Sequence, residues 1–155
     1  MTPTAVRVRR AALELFAERG FHGTGIRQLA ERAGVSSASL YHYMGTKEEL
    51  LVALMTHSLE RLVDDAQAAV ASSGDPVEQL EALVRMHVTA HASRPLDTRV
   101  GDHEVEALSE PARAQVVTLR DRYEQVWQEV LAAGLEAGVL RAEHPAVARR
   151  ALLEM

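Results

Sequence analysis

Between Thr24 and Lys47 the chain reads TGIRQLAERAGVSSASLYHYMGTK, and the spacing of its apolar residues leaves little freedom of fold. Ile26, Leu29, Ala30 and Ala33 recur at intervals of three and four. They make one apolar stripe on a short helix, while Arg27, Gln28, Glu31 and Arg32 face elsewhere. Thr24 is the expected N-cap, and Gly34, just past the last periodic residue, is the expected left-handed C-cap. Val35 plugs the turn, Ser36 caps the next helix, and Leu40 packs that helix against the first. Thr46 followed three residues later by Glu49 is a capping box that opens a further helix. Two short helices joined through a tight glycine turn predict a helix-turn-helix, whose second helix enters the major groove of double-stranded DNA.

The remaining sequence reads as helix throughout. A first helix is expected from about Thr4 to Arg19, started by Thr2-Pro3 and stopped by Gly20. After the helix-turn-helix pair, a long fourth helix runs from Lys47 to about Ala71. A fifth opens at Asp75-Pro76 and fades near Arg94-Pro95, and a short sixth covers roughly Thr98 to Leu108. Ser109-Glu110-Pro111 opens a seventh that reaches Gly134 or Gly138, and His144-Pro145 opens an eighth still running at Met155. The expected fold class is all-α.

Several function classes are disfavoured. No cysteine is present, so disulfide and thiol chemistry are excluded. Apolar runs such as LLVALM are far too short for a membrane span, and the N-terminus is Arg-rich with no signal-peptide hydrophobic region. A cytoplasmic protein with no membrane partner is expected. There is no nucleophile elbow or phosphate loop, which argues against an enzyme, and no cofactor is expected. Up to Leu50 seven Arg or Lys stand against five Asp or Glu, whereas the remainder holds ten against seventeen. A head of net charge +2 on a body of −7 fits a DNA-binding head with a separate sensory body.

The segment from Val6 to Leu54 combines AALELFAERGF, the AGVS turn, LYHYM and TKEEL at fixed spacing. In this it resembles the DNA-binding domain of the TetR family of transcriptional regulators. The resemblance implies a helix-turn-helix DNA-binding domain over residues 1–46 and a helical ligand-binding and dimerisation domain over residues 47–155. It also implies a homodimer that reads a palindromic operator and a small-molecule inducer that releases it. At Gly25 the family usually carries Thr or Ser, so one contact to DNA at the helix start is expected to be lost. Family members usually continue for several tens of residues beyond an end like Met155, and their last two helices commonly form the dimer interface. The pattern stops at ALLEM without a cap, so a body shortened at its C-terminus is expected, with Val139, Leu140, Val147, Ala151 and Leu152 still offering apolar surface.

Roles follow for the candidate residues. Ser37 and Ser39 are placed to meet base edges or phosphates, and Ala38 to meet a thymine methyl. His42 and Tyr43 are expected near backbone and base edges, and Tyr41 and Lys47 on phosphates beside the start of the fourth helix. For Tyr41 and Tyr43 a partly buried structural role stands as the alternative. Arg27 matches a family position that reaches a base.

The body is expected to wrap a cavity lined by Leu54, His57, Leu83, Met86, His87, Ala90, Val105, Leu108, Leu119, Tyr123 and Trp127. Tyr123 and Trp127 share one helix face, and ordinary core packing explains them equally well. LSEPARAQVVTLRDRYEQVW further resembles TetR-type regulators that respond to acyl-CoA thioesters, which would set Arg120 or Arg122 against a CoA phosphate. An alternative is metal response through His87 and His91, completed by Asp102, His103 and Glu106. A DNA-binding protein without a small-molecule ligand is the remaining alternative.

Overall fold

The computed structural model describes residues 2–154. Every secondary-structure element among them is helical: α1 (Pro3–Arg19), α2 (Ile26–Ala33), α3 (Ser37–Met44), α4 (Lys47–Ala71), α5 (Pro76–Ser93), α6 (Pro95–His103), α7 (Glu110–Glu136) and α8 (Pro145–Leu153), with one 3-10 turn at Val105–Ala107. The fold is all-α, as the periodicity predicts. Two compact units divide the chain. One comprises the residues up to Ser58 together with Arg94–Val116, and the other Leu59–Ser93 with the residues from Val117 onward.

In the first unit Val8, Ala12, Leu15 and Phe16 of α1, Leu29 of α2, Leu40 of α3, and Leu51 and Met55 of α4 are all buried. Val100 of α6 and Leu108 are buried in the same unit. Polar ties join the helices around these buried residues. Arg7 Nε donates to Ala33 O at 3.2 Å, and an Arg9 guanidinium N–H donates to Ala53 O at 3.0 Å. Arg32 reaches both Glu14 and Glu18, which joins α2 to α1 across the surface.

The second unit is built around Trp127, with Val63, Ala66, Leu83, Tyr123, Val126 and Val130 as its buried cluster. Leu152 and Leu153 of α8 pack against that cluster. Arg149 adds a hydrogen bond to Gln128 at 2.7 Å and an ion pair to Glu124, which hold α8 on α7. Past α7, Gly138 takes φ +70°, and the N–H groups of Val139 and Leu140 both return to Gly134 O. The Leu140 side chain then lies where a Cβ on Gly134 would stand. Leu140 is thus half-buried, whereas Val139 and Val147 remain exposed.

Three boundaries differ from expectation. Gly25, not Thr24, occupies the N-cap of α2; the Thr24 hydroxyl is buried and donates to Gly20 O at 2.8 Å and Leu15 O at 3.2 Å. The sixth helix begins three residues early because Pro95 fits the first helical position with its fixed φ, and it closes at His103 before the 3-10 turn. α8 ends at Leu153 with Glu154 as its C-cap, while Met155 lies outside the described residues.

Candidate nucleic-acid interface

The helix-turn-helix is held by backbone geometry that its sequence encodes. Gly34 takes φ 67° and ψ 41°, the left-handed conformation that lets the chain reverse after α2. Ser36 then caps α3: its Oγ accepts the Ser39 N–H at 3.1 Å and donates to Ser39 Oγ at 3.0 Å. The Ser39 hydroxyl therefore keeps its own proton for an outside acceptor. At α4 both halves of the capping box are present, Glu49 N–H on Thr46 Oγ1 at 3.0 Å and Thr46 N–H on Glu49 Oε2 at 2.7 Å. At Gly25 only half a box exists, since glycine has no side chain; the Gln28 side chain accepts the Gly25 N–H at 3.0 Å.

Leu40 and Met44 are the buried residues of α3, so the rest of the helix is left to solvent. Ser37, Ala38 and Ser39 are exposed at its first turn, and Tyr41, His42 and Tyr43 are exposed further on. Tyr41 is 54% and Tyr43 39% exposed, which favours the surface role over the core role for both. The His42 and Tyr43 rings meet edge to face at 5.2 Å. Arg27, one residue into α2, is exposed as well.

Lys47 behaves differently from a free surface lysine. Its ammonium donates to Phe21 O at 2.7 Å and Thr24 O at 2.9 Å, and sits 4.2 Å from the centre of the Phe21 ring. Partial burial pulls its pKa below the ordinary lysine value. Two of its three protons are committed to the loop before α2, and the third is used in neither bond.

The body residues fall into the two units. Leu54 and Leu108 are buried, Val105 half-buried and His57 exposed in the first. Leu83, His87, Ala90, Tyr123 and Trp127 are buried in the second, with Met86, Leu119 and Arg120 half-buried and Arg122 exposed. His87 Nδ1 and Tyr123 Oη are 2.8 Å apart, and the Trp127 ring meets His87 edge to face at 5.5 Å. Burial pushes the Tyr123 phenol up to about 12, so it stays a neutral hydrogen-bonding group at neutral pH. His87 and His91 do share a face, their rings 4.1 Å apart. Asp102, His103 and Glu106 belong to the first unit, however, and among the described residues no group of three or more His, Cys, Asp or Glu side chains is arranged to hold a metal ion. The five expected residues therefore form no such group. No helix among the described residues is long and apolar enough to cross a membrane.

Two carboxylates that the sequence gives no reason to single out also reach this region. Glu104 Oε2 accepts the Phe21 N–H at 2.9 Å, and Glu48 Oε1 accepts the Ser109 N–H at 2.6 Å. Their partners lie 83 and 61 residues away in sequence, beyond any local pattern.

Comparison with known proteins agrees with this geometry. Residues 8–54 match the family model of bacterial regulatory proteins of the tetR family, and residues 73–155 match the tetracyclin repressor-like C-terminal domain. The HTH-type transcriptional repressor KstR2 of Mycobacterium tuberculosis (strain ATCC 25618 / H37Rv) is 30% identical over 133 residues, covering 85% of this chain. The chain spans 66% of that repressor's length. PfmR, a TetR family transcriptional regulator from Thermus thermophilus, superposes with a TM-score of 0.90 at 33% identity, over all of this chain and 83% of PfmR. AibR, solved in complex with isovaleryl coenzyme A and operator DNA, superposes with a TM-score of 0.87 over 97% of this chain and 82% of its own. At 24% identity that last likeness speaks to fold alone.

Proposed function

The chain belongs to the TetR family of bacterial regulatory proteins, and from that membership we propose that it is a DNA-binding transcriptional regulator, a repressor released from a palindromic operator by a small molecule. The observation that carries this reading is α3: a capped helix anchored by Leu40 and Met44 that leaves Ser37, Ala38, Ser39, Tyr41, His42 and Tyr43 to solvent. Residues 1–46 serve as the reading head, and residues 47–155 as the ligand-binding and dimerisation body. Ser37, Ala38 and Ser39 meet base edges at the N-terminal turn of the recognition helix, with Arg27 beside them. Tyr41 and the remaining proton of Lys47 hold phosphates.

One head contacts too few base pairs for specific affinity, so two heads in a homodimer read half-sites about 34–36 Å apart or a multiple of it. The protein acts in the cytoplasm, where its operator is. For the inducer the acyl-CoA thioester class is supported by the stretch from Leu108 to Trp127, with Arg120 set against a CoA phosphate. The His87–Tyr123 pair gives the second unit's core a polar centre that a ligand head group could engage. A ligand releases DNA only by favouring the conformer whose head spacing misfits the operator.

The test is a binding titration with palindromic duplexes from the region upstream of the coding sequence, with and without acyl-CoA thioesters. Specific binding weakened by an acyl-CoA supports the whole reading. Specific binding indifferent to every thioester removes the inducer class and keeps the DNA-binding role.

A further inference from the structure

The Phe21 peptide, in the loop between α1 and α2, is gripped from both sides. Its carbonyl accepts from Lys47 at 2.7 Å, and its N–H donates to Glu104 at 2.9 Å. Glu104 is the C-cap of α6, so the end of that helix holds the entrance to the helix-turn-helix. A second bond runs the opposite way. Glu48, in the first turn of α4, accepts the N–H of Ser109, the residue before α7. Each carboxylate belongs to one side of the seam between residues 94–116 and the helices up to Ser58, and each takes a backbone N–H from the other.

We propose that Glu104 and Glu48 are positioning residues for DNA reading, which fix the angle at which α2 and α3 are presented. The inference rests on the DNA-binding role proposed above. Apolar contact across this seam, through Val100 and Leu108, is non-directional, whereas a charge-assisted hydrogen bond fixes both distance and angle. The seam is also incompletely filled beside Glu104. A solvent-open cleft of about 230 Å³ lies there, lined by Phe16, Gly20, Arg99 and His103 among others, so few side chains pack around the bond on that side. Gly20 lies beside this bond. A Cβ on it would stand 3.4 Å from Glu104 Oε1, and its φ of +74° disfavours any side chain there. Glu48 shows the effect of its bond in its ionisation, since the Ser109 N–H holds its carboxyl below the ordinary value.

The experiment compares Glu104→Ala, Glu104→Gln and Glu48→Ala with the parent chain, and uses Glu106→Ala as a control for loss of an exposed charge. Three quantities are read: hydrogen exchange at the Phe21 and Ser109 amides, affinity for the operator duplex, and the salt dependence of that affinity. Glu104→Ala is expected to speed Phe21 exchange and to weaken operator binding by about tenfold, the scale of one lost charge-assisted bond. The salt slope stays unchanged because no phosphate contact is removed. Glu104→Gln restores both quantities in large part, because its amide oxygen accepts the same N–H as a weaker, neutral acceptor. Glu48→Ala speeds exchange at Ser109 and likewise weakens binding, and Glu106→Ala changes neither amide nor affinity. Parental affinity in both alanine variants, unchanged Phe21 exchange in Glu104→Ala, or a Glu104→Gln variant as weak as Glu104→Ala would overturn the proposal. If the parent chain itself bound no palindromic duplex, the DNA-binding reading would fall instead.

Discussion

Lys47 carries two demands on one ammonium. Its bonds to Phe21 O and Thr24 O secure the loop that leads into α2, and its remaining proton is the one available to a phosphate. Replacing it by alanine is expected to lower the thermal midpoint, since two carbonyls lose a charged donor, and to reduce the salt slope of operator binding by about one. Thermal unfolding and a salt titration of the Lys47→Ala protein read the two effects separately; an unchanged slope would remove the phosphate role and leave the loop role. Gly34 offers a cleaner case. Nothing lies within 4 Å of where its Cβ would be, so Gly34→Ala meets no clash and bears only the left-handed backbone penalty. A loss of about 1 kcal/mol is expected from denaturant titration. At this scale the sequence is legible wherever the partner is local. Gly34, Ser36 and the Thr46–Glu49 box are all set by spacings of a few residues. Thr24 reads as a cap by spacing, yet its hydroxyl turns inward to the Leu15 and Gly20 carbonyls, which no cap pattern signals. Glu104 is not legible at all, because its partner is set by tertiary packing.

Between elements, ionised carboxylates hold seams that packing alone leaves loose. Glu14 lies below the ordinary carboxyl value of 4.5, first through its hydrogen bond to Arg10 and then through Arg32 on α2. Glu48 lies below 4.5 through the Ser109 N–H. Because both folded-state values are depressed, the unfolded chain takes up protons first as the pH falls. Their contribution is therefore complete above about pH 4.5 and is lost as the pH drops through the lower folded values. Thermal midpoints are expected to fall on acidification in that window, and Glu14→Gln or Glu48→Gln should make the fall shallower while lowering the midpoint at neutral pH. The second unit depends instead on bulk. Trp127 is fully buried at the centre of its cluster, so Trp127→Ala should destabilise that unit by about 3–5 kcal/mol, measured by chemical denaturation. The Tyr123 and Trp127 pairing is visible as a four-residue spacing, but spacing does not separate pocket from core. Both are buried in one cluster, which fits either role.

For the whole molecule, the helical layout and the family are readable from the N-terminal third, because cap, turn and capping box all occur within about twenty residues. The division into units is less so. Residues 94–116 cluster with the head although they follow it by some forty residues, since their attachments are Val100, Leu108 and the two carboxylate bonds, none of which forms a local pattern. On the proposed reading two heads act together at this scale, and a palindrome is the DNA counterpart of that symmetry. The most direct measurement is an anisotropy titration of the purified protein with a palindromic duplex and with a duplex carrying one scrambled half-site, across a range of salt. Specific affinity for the palindrome is expected, typically at least about 10³ over random DNA, with a steep decline with salt and collapse of specificity when either half-site is scrambled. Equal affinity for palindrome, half-site and random duplexes would contradict it.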